Sequence, residues 1–163
     1  MSPGDPAKPL ATAEDLLALG DEARIELIGG EIVQRAATFE HSAAQGGVVR
    51  MLGGFVGPLD GPRGPGGWWI IPEAEVLYGA SDLFRHDVAG WRRQRVPSRL
   101  SGRPARVLPD WVCEIRSPPS AANDTVVKLR VLHRNEVRHY WILEPIEGAL
   151  HAYRWSSEGY KLV

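Results

Sequence analysis

Apolar and polar positions along the chain change period several times, and each change marks an element. Thr12, followed three residues on by Asp15, has the spacing of a capping box. It opens a short predicted helix, Ala13–Leu19, with Leu16, Leu17 and Leu19 as its apolar side. The run RIELIGGEIVQR then alternates on both sides of Gly29-Gly30, which predicts a hairpin, because glycine reaches positive φ freely. In its first strand Arg24, Glu26 and Ile28 share one face, and Ile25 and Leu27 the other. Val48, Met51, Leu52, Phe55 and Val56 recur at helical spacing, predicting a second helix over Phe39–Leu59 that several glycines interrupt. Residues 57–67, GPLDGPRGPGG, are too rich in proline to supply the backbone N–H groups of a phosphate cradle and read as a connector.

From Trp68 the pattern turns to strands: WWII, EAEVLY and a run near Leu83–Val88. Residues 91–108 are rich in arginine and irregular. WVCEI, residues 111–115, is a short continuous apolar run with proline on both sides, the pattern of a central buried strand. A helix starting at Asp124 or a neighbour and reaching about Asn135 presents Val127, Leu129, Val131 and Leu132. HYWILEP forms a further buried strand, and GALHAYRW with GYKLV a closing antiparallel hairpin. This order predicts an α/β or α+β fold, a single domain over residues 12–163 built on a mixed sheet flanked by helices. Residues 1–11, three of whose first ten are proline, are expected to form a flexible arm.

Composition narrows the chemistry. The 163 residues fit one domain, and 44% hydrophobic content supplies one core. A net charge of -1 gives no global attraction to polyanions. The average hides an asymmetry, because residues 85–106 hold seven arginines and a single acid, Asp87. Residues 1–60 are acidic by nine to four. Cys113 is the sole cysteine, which excludes an intramolecular disulfide and a Cys-rich zinc site. The five histidines form no close H-x-x-x-H pair, against zinc. MSPGDPAKPL has no basic segment leading into an apolar core, so no secretory leader is expected. No apolar run reaches the ~18 residues of a membrane span, and a cytoplasmic protein is the expectation.

Glu114 stands out within WVCEI, since a carboxylate buried in an apolar strand is costly unless paired or bound to a cation. Two readings stay open on the residues alone: a functional ligand, or a strand-end partner of an arginine. Asp110 shares its face but lies four residues away, about 13 Å along a strand, too far to hold the same small ion. Asp110 is therefore expected at a turn or strand start. The second carboxylate is sought on a neighbouring strand, where Asp87 in FRHDVAGW is the best candidate beside its reading as a loop residue.

ELIGGEIV, PDWVCEIRSPP, the following Asp124 and Lys128, and YWILEP with a later AYR resemble the Uma-two family. These are bacterial proteins described as endonucleases of the restriction-endonuclease-like PD-(D/E)XK fold, and the matching blocks cover about residues 12–155. The resemblance implies Asp87 and Glu114 as metal-binding carboxylates, with the backbone carbonyl of Ile115 as a further ligand. It implies Glu26 and Lys128 as further catalytic residues, the lysine having moved from the strand to a helix. Mg²⁺, or Mn²⁺, would be the cofactor, and nucleic acid, with DNA favoured, the substrate. Two positions depart from the family pattern. His86 precedes Asp87 where proline is usual, and Arg116 stands where the E-x-K lysine would be. Arginine stays protonated and cannot act as a general base.

Lys128 has a bland alternative, an exposed i, i+4 ion pair with Asp124, which could also cap the helix. Arg92, Arg93, Arg95 and Arg116 are the expected nucleic-acid contacts, against a loop that pairs with the acidic N-terminal half. His41 opens the second helix and is expected as a capping or surface residue, with a place flanking the site as the alternative, and the six tryptophans as core. Dimerisation follows by analogy with nucleases that cut both strands. A second function class is a catalytically decayed module that binds nucleic acid or a protein partner, suggested by Arg116 and the missing Pro-Asp.

Overall fold

The computed structural model describes residues 9–20, 24–35, 37–62, 64–116 and 122–163, with the side chains of residues 122–124 outside that description. Most of the predicted arm, residues 1–8, also lies outside it. Ala11 is tied down, its N–H donating to the Gly30 carbonyl at 2.8 Å.

The predicted capping box forms. Thr12 accepts from the Asp15 N–H and Asp15 from the Thr12 N–H, starting α1 (Ala13–Ala18). Leu16 is fully buried against Ile25, Leu27 and Leu83. Leu19 was expected on the same side but is 59% exposed, because the helix ends at Ala18 and Leu19 turns away as the C-cap. The hairpin follows as β1 (Ile25–Ile28) and β2 (Glu31–Gln34), with Gly29 and Gly30 at φ 58 and 82 in the turn. The second predicted helix stops early. It runs as α2 (Phe39–Met51), then a tight 3₁₀ turn, Leu52–Phe55, where Gly53 and Gly54 remove the side chains that would hold a regular helix.

WWII and EAEVLY are one strand, β3 (Trp68–Gly79), antiparallel to β4 (Asp82–Arg92) along its whole length. Midway, Glu73 adopts φ 52, a conformation that costs a non-glycine residue about 1 kcal/mol or more. It lies opposite Asp87, where the ladder skips a pair between Pro72↔Val88 and Ala74↔His86. The alternation of faces breaks there as well. Phe84 packs in one core cluster and Val88 in the opposite one, although strict alternation would put them together.

β5 (Trp111–Ile115) is buried at every position and lies between β4, antiparallel, and β6 (His139–Glu144), parallel. The parallel step is bridged by α3 (Ala122–Arg134). β7 (Ala149–Ser156) and β8 (Gly159–Leu162) complete the mixed sheet in the order β2-β1-β4-β5-β6-β7-β8, with β3 on the other edge of β4. Val48 and Val49 of α2, with Leu52 of the 3₁₀ turn, cover Val88, Trp111 and Cys113 on one face. Val127, Leu129, Val131 and Leu132 of α3 cover Val112, Tyr140 and Ile142 on the other. Such a sheet between helices, with each buried aliphatic side chain contributing roughly 1.5–3 kcal/mol, is the α+β architecture the pattern predicts.

One edge of β4 is shared. β1 touches it at Leu27↔Leu83 and β5 at Val88, Ala89 and Gly90, so the stretch between is left open by both. The candidate site fills that opening.

Candidate active site

Backbone groups in the opening need partners, since buried N–H and C=O groups left unpaired are costly. Acidic and basic side chains supply them. The Arg85 N–H donates to Glu26 Oε1 at 2.8 Å, and the Arg85 carbonyl accepts from Arg35 Nη1 at 3.1 Å. The Ile115 N–H donates to Asp87 Oδ2 at 2.7 Å, and the Asp87 carbonyl accepts from Gln45 Nε2 at 2.7 Å. The missing ladder is thus replaced by side chains that also carry charge.

Glu26, Asp87 and Glu114 enter from β1, β4 and β5, and each is at most 6% exposed. Lys128 of α3, 4% exposed, places Nζ 2.6 Å from Glu26 Oε1 and 3.5 Å from Glu114 Oε2. The reading of Lys128 as an exposed helix ion pair does not describe this buried position. Its proposed partner, the Asp124 side chain, lies outside the described residues, and α3 begins two residues before Asp124 rather than at it. Ile115 is the neighbour of Glu114 and meets Asp87 through its N–H; the predicted role was for its carbonyl.

Sequence reasoning missed Arg35 and left His41 and His86 without their carboxylate partners. Arg35, directly after β2, sets Nη1 3.1 Å from Glu114 Oε2 and 3.5 Å from Glu26 Oε2, with Nη2 3.5 Å from Asp87 Oδ2. His41, expected as a cap or surface residue, is 5% exposed with Nε2 3.0 Å from Asp87 Oδ1. The cap of α2 is Thr38, which accepts from the His41 N–H, so the first helical turn carries the ring to Asp87. His86, fully buried, sets Nδ1 2.5 Å from Glu114 Oε1 and Nε2 2.8 Å from the Tyr78 hydroxyl. An ionised carboxylate only accepts, so Nδ1 carries the proton of this hydrogen bond. The residue where proline is usual thus orients Glu114. EIVQR reads as an ordinary edge strand and gave no sign of Arg35.

Charges hold Glu114 ionised. Burial would push the Glu114 carboxyl up, but Lys128, Arg35 and the His86 hydrogen bond outweigh it and hold it well below the usual carboxylate range. Burial likewise opposes the Arg35 charge, and Glu114, Glu26 and Asp87 more than offset it, in that order. Burial raises the Cys113 thiol far above its ordinary range, so it is no nucleophile.

The predicted nucleic-acid arginines stand apart from this cluster. Arg116 pairs with Glu144 at 2.7 Å. Arg92 and Arg93 stack over Trp68 and Trp69, at 5.3 and 3.5 Å from the ring centroids. They lie about 17 Å along β4 from Asp87. Arg95 binds Asp110 at 2.9 Å and the Leu108 carbonyl. Among the described residues the segment pairs with Asp110 and with Glu75 and Glu73 of β3, Glu75 bound by Arg85 and Arg103 and Glu73 by Arg85. Asp110 also accepts the Arg92 N–H at 2.8 Å, which makes it a fastener of the strand start. Asp110→Ala is expected to lower stability in a urea melt by about 1–3 kcal/mol, the cost of stranded donors, while leaving the charged cluster at Asp87 intact.

The family described as "Putative restriction endonuclease", Uma2, matches residues 12–163. The chain belongs to the Uma2 family. This Uma2 chain also shares its fold with the crystal structure of a protein from Anabaena variabilis described as "a putative nuclease". The TM-score is 0.73 at 22% identity, over 93% of this chain and 83% of that one. No curated protein matches the sequence. No helix among the described residues is long and apolar enough to cross a membrane.

The wider restriction-endonuclease-like group generally works with divalent ions, and the donor set here suits one. Asp87 and Glu114 each have one oxygen engaged by a histidine, and the other oxygens, Oδ2 and Oε2, both reach the Arg35 guanidinium. Two carboxylates already sharing one cationic partner, with oxygen as donor, fit a hard divalent ion. Among the described residues no three His, Cys, Asp or Glu side chains are themselves arranged as a ready cage. The shared position is held by Arg35.

Proposed function

We propose that the protein is a metal-dependent endonuclease that hydrolyses phosphodiester bonds of nucleic acid, with DNA as the favoured substrate. The observation that carries this reading is the meeting of Asp87, Glu114 and Lys128, from three separate elements, in the opening of the sheet. Asp87 and Glu114 would hold Mg²⁺ or Mn²⁺, with the Ile115 carbonyl as a further ligand. A bound ion would polarise a phosphoryl oxygen and lower the pKa of the attacking water. Lys128, fixed by Glu26, presents an ammonium to the charge that develops on the phosphate. His86 holds one oxygen of Glu114, and His41 one oxygen of Asp87. Arg92 and Arg93, stacked on tryptophan, would meet backbone phosphates some five nucleotide steps from the scissile bond, at about 3.4 Å per step. Cutting both strands of a duplex would call for two copies of the chain.

A second reading, a decayed nucleic-acid-binding module, rests on Arg116 being committed to Glu144 and on Arg35 occupying the acidic cluster. Supercoiled plasmid incubated with Mg²⁺ or Mn²⁺, and with chelator as control, separates the two. Nicked product that disappears with chelator supports the nuclease. Retained plasmid binding without cleavage on DNA or RNA in either ion supports the module.

A further inference from the structure

Arg35 is absent from the residues that the family pattern points to, yet it touches all three carboxylates of the cluster. Its contacts are specific in a way that bears on the ion. Glu114 Oε2 and Asp87 Oδ2 are the oxygens bound to the guanidinium, at 3.1 and 3.5 Å. Their second oxygens are already engaged, by His86 and His41. A divalent ion about 2.1 Å from the same two oxygens would lie against the positive charge of the guanidinium. The ion and the guanidinium compete for one place.

Fixed charges give the same answer. Glu26, Asp87 and Glu114 face Arg35 and Lys128. Removing the guanidinium leaves two uncompensated negative charges, the complement of one divalent ion. Arg35 also has a way out. Its side chain is 26% exposed, whereas those of Glu26, Asp87, Glu114 and Lys128 are 8% or less. It follows β2, the outermost strand of the sheet. The adjoining cavity between His41, Glu73, Arg85 and Asp87 holds only ≈ 10 Å³, too little for a guanidinium, so the head must leave outward.

We propose that Arg35 is the resident cation of the centre, and that a divalent ion enters by displacing its guanidinium toward solvent. This inference rests on the metal-dependent reading above. The test is Mn²⁺ binding to the full chain by titration calorimetry, without nucleic acid, for wild type, Arg35→Met and Arg35→Lys. Arg35→Met should bind Mn²⁺ about tenfold or more tightly than wild type, the scale of coupling between competing ligands, with Arg35→Lys in between. Its thermal midpoint should fall without metal and be recovered by Mn²⁺. Equal or weaker Mn²⁺ affinity in Arg35→Met overturns the displacement. Should the variant not fold, the Arg35 side-chain Nε–H signal of wild type serves instead. It should move and exchange faster with water on adding Mg²⁺, and an unmoved signal at saturating Mg²⁺ overturns the displacement alone. Absence of binding in every protein overturns the metal reading together with it.

Discussion

Glu114→Gln should abolish metal-dependent nicking, a loss on the order of a thousandfold or more, since an ion's charge stabilisation is worth several kcal/mol. The variant keeps the shape of the side chain and removes its charge. The amide would still meet His86 but would hold Arg35 and Lys128 poorly. Both cations retain another acid, Glu26 or Asp87, so the folding cost should sit near the lower end for a broken buried pair, about 3 kcal/mol. Plasmid nicking and urea melts measured on the same preparation distinguish lost chemistry from lost folding. Nicking at the wild-type rate by purified Glu114→Gln would remove Glu114 from the centre.

The second large effect concerns Lys128. Lys128→Met leaves Glu26, 2% exposed, with the Arg85 N–H and the more distant Arg35 as partners. Stability should fall by about 3 kcal/mol and cleavage by about a hundredfold, the scale seen when one transition-state donor is removed. The Glu26→Gln/Lys128→Met pair should recover part of the stability, with a coupling of about 1 kcal/mol or more between neighbours in one network. Cleavage should stay low, because the ammonium is still absent. Additive stability losses would show that the 2.6 Å pair contributes nothing of its own.

Much of this was legible in the sequence, for local reasons. Thr12 and Asp15 announce α1 because a capping box needs only four residues. Glu114 is conspicuous because WVCEI is otherwise apolar and buried throughout. Strand rise, about 13 Å over four residues, correctly set Asp110 aside as a strand-start residue, and the structure shows it holding Arg92 and Arg95. What stayed hidden depends on distant packing. The β3 strand looked like two because Pro72 and the left-handed Glu73 interrupt its pattern, and only β4 keeps it continuous. The break of faces at Asp87 has no local signature. Arg35 and His41 reach the cluster from a strand end and a first helical turn, and nothing nearby in sequence reveals which side chain meets an acid some fifty or eighty residues away.

The opening in the β4 edge makes two main-chain amides into natural probes. In an ordinary sheet the Arg85 and Ile115 protons would point at carbonyl oxygens and report only on the backbone. Here they point at the carboxylates of Glu26 and Asp87. Whatever draws electron density from those carboxylates, or turns them, alters the shielding of both protons at once. Nitrogen-15 spectra would therefore follow occupancy of the centre in the unmodified protein, without substrate or turnover.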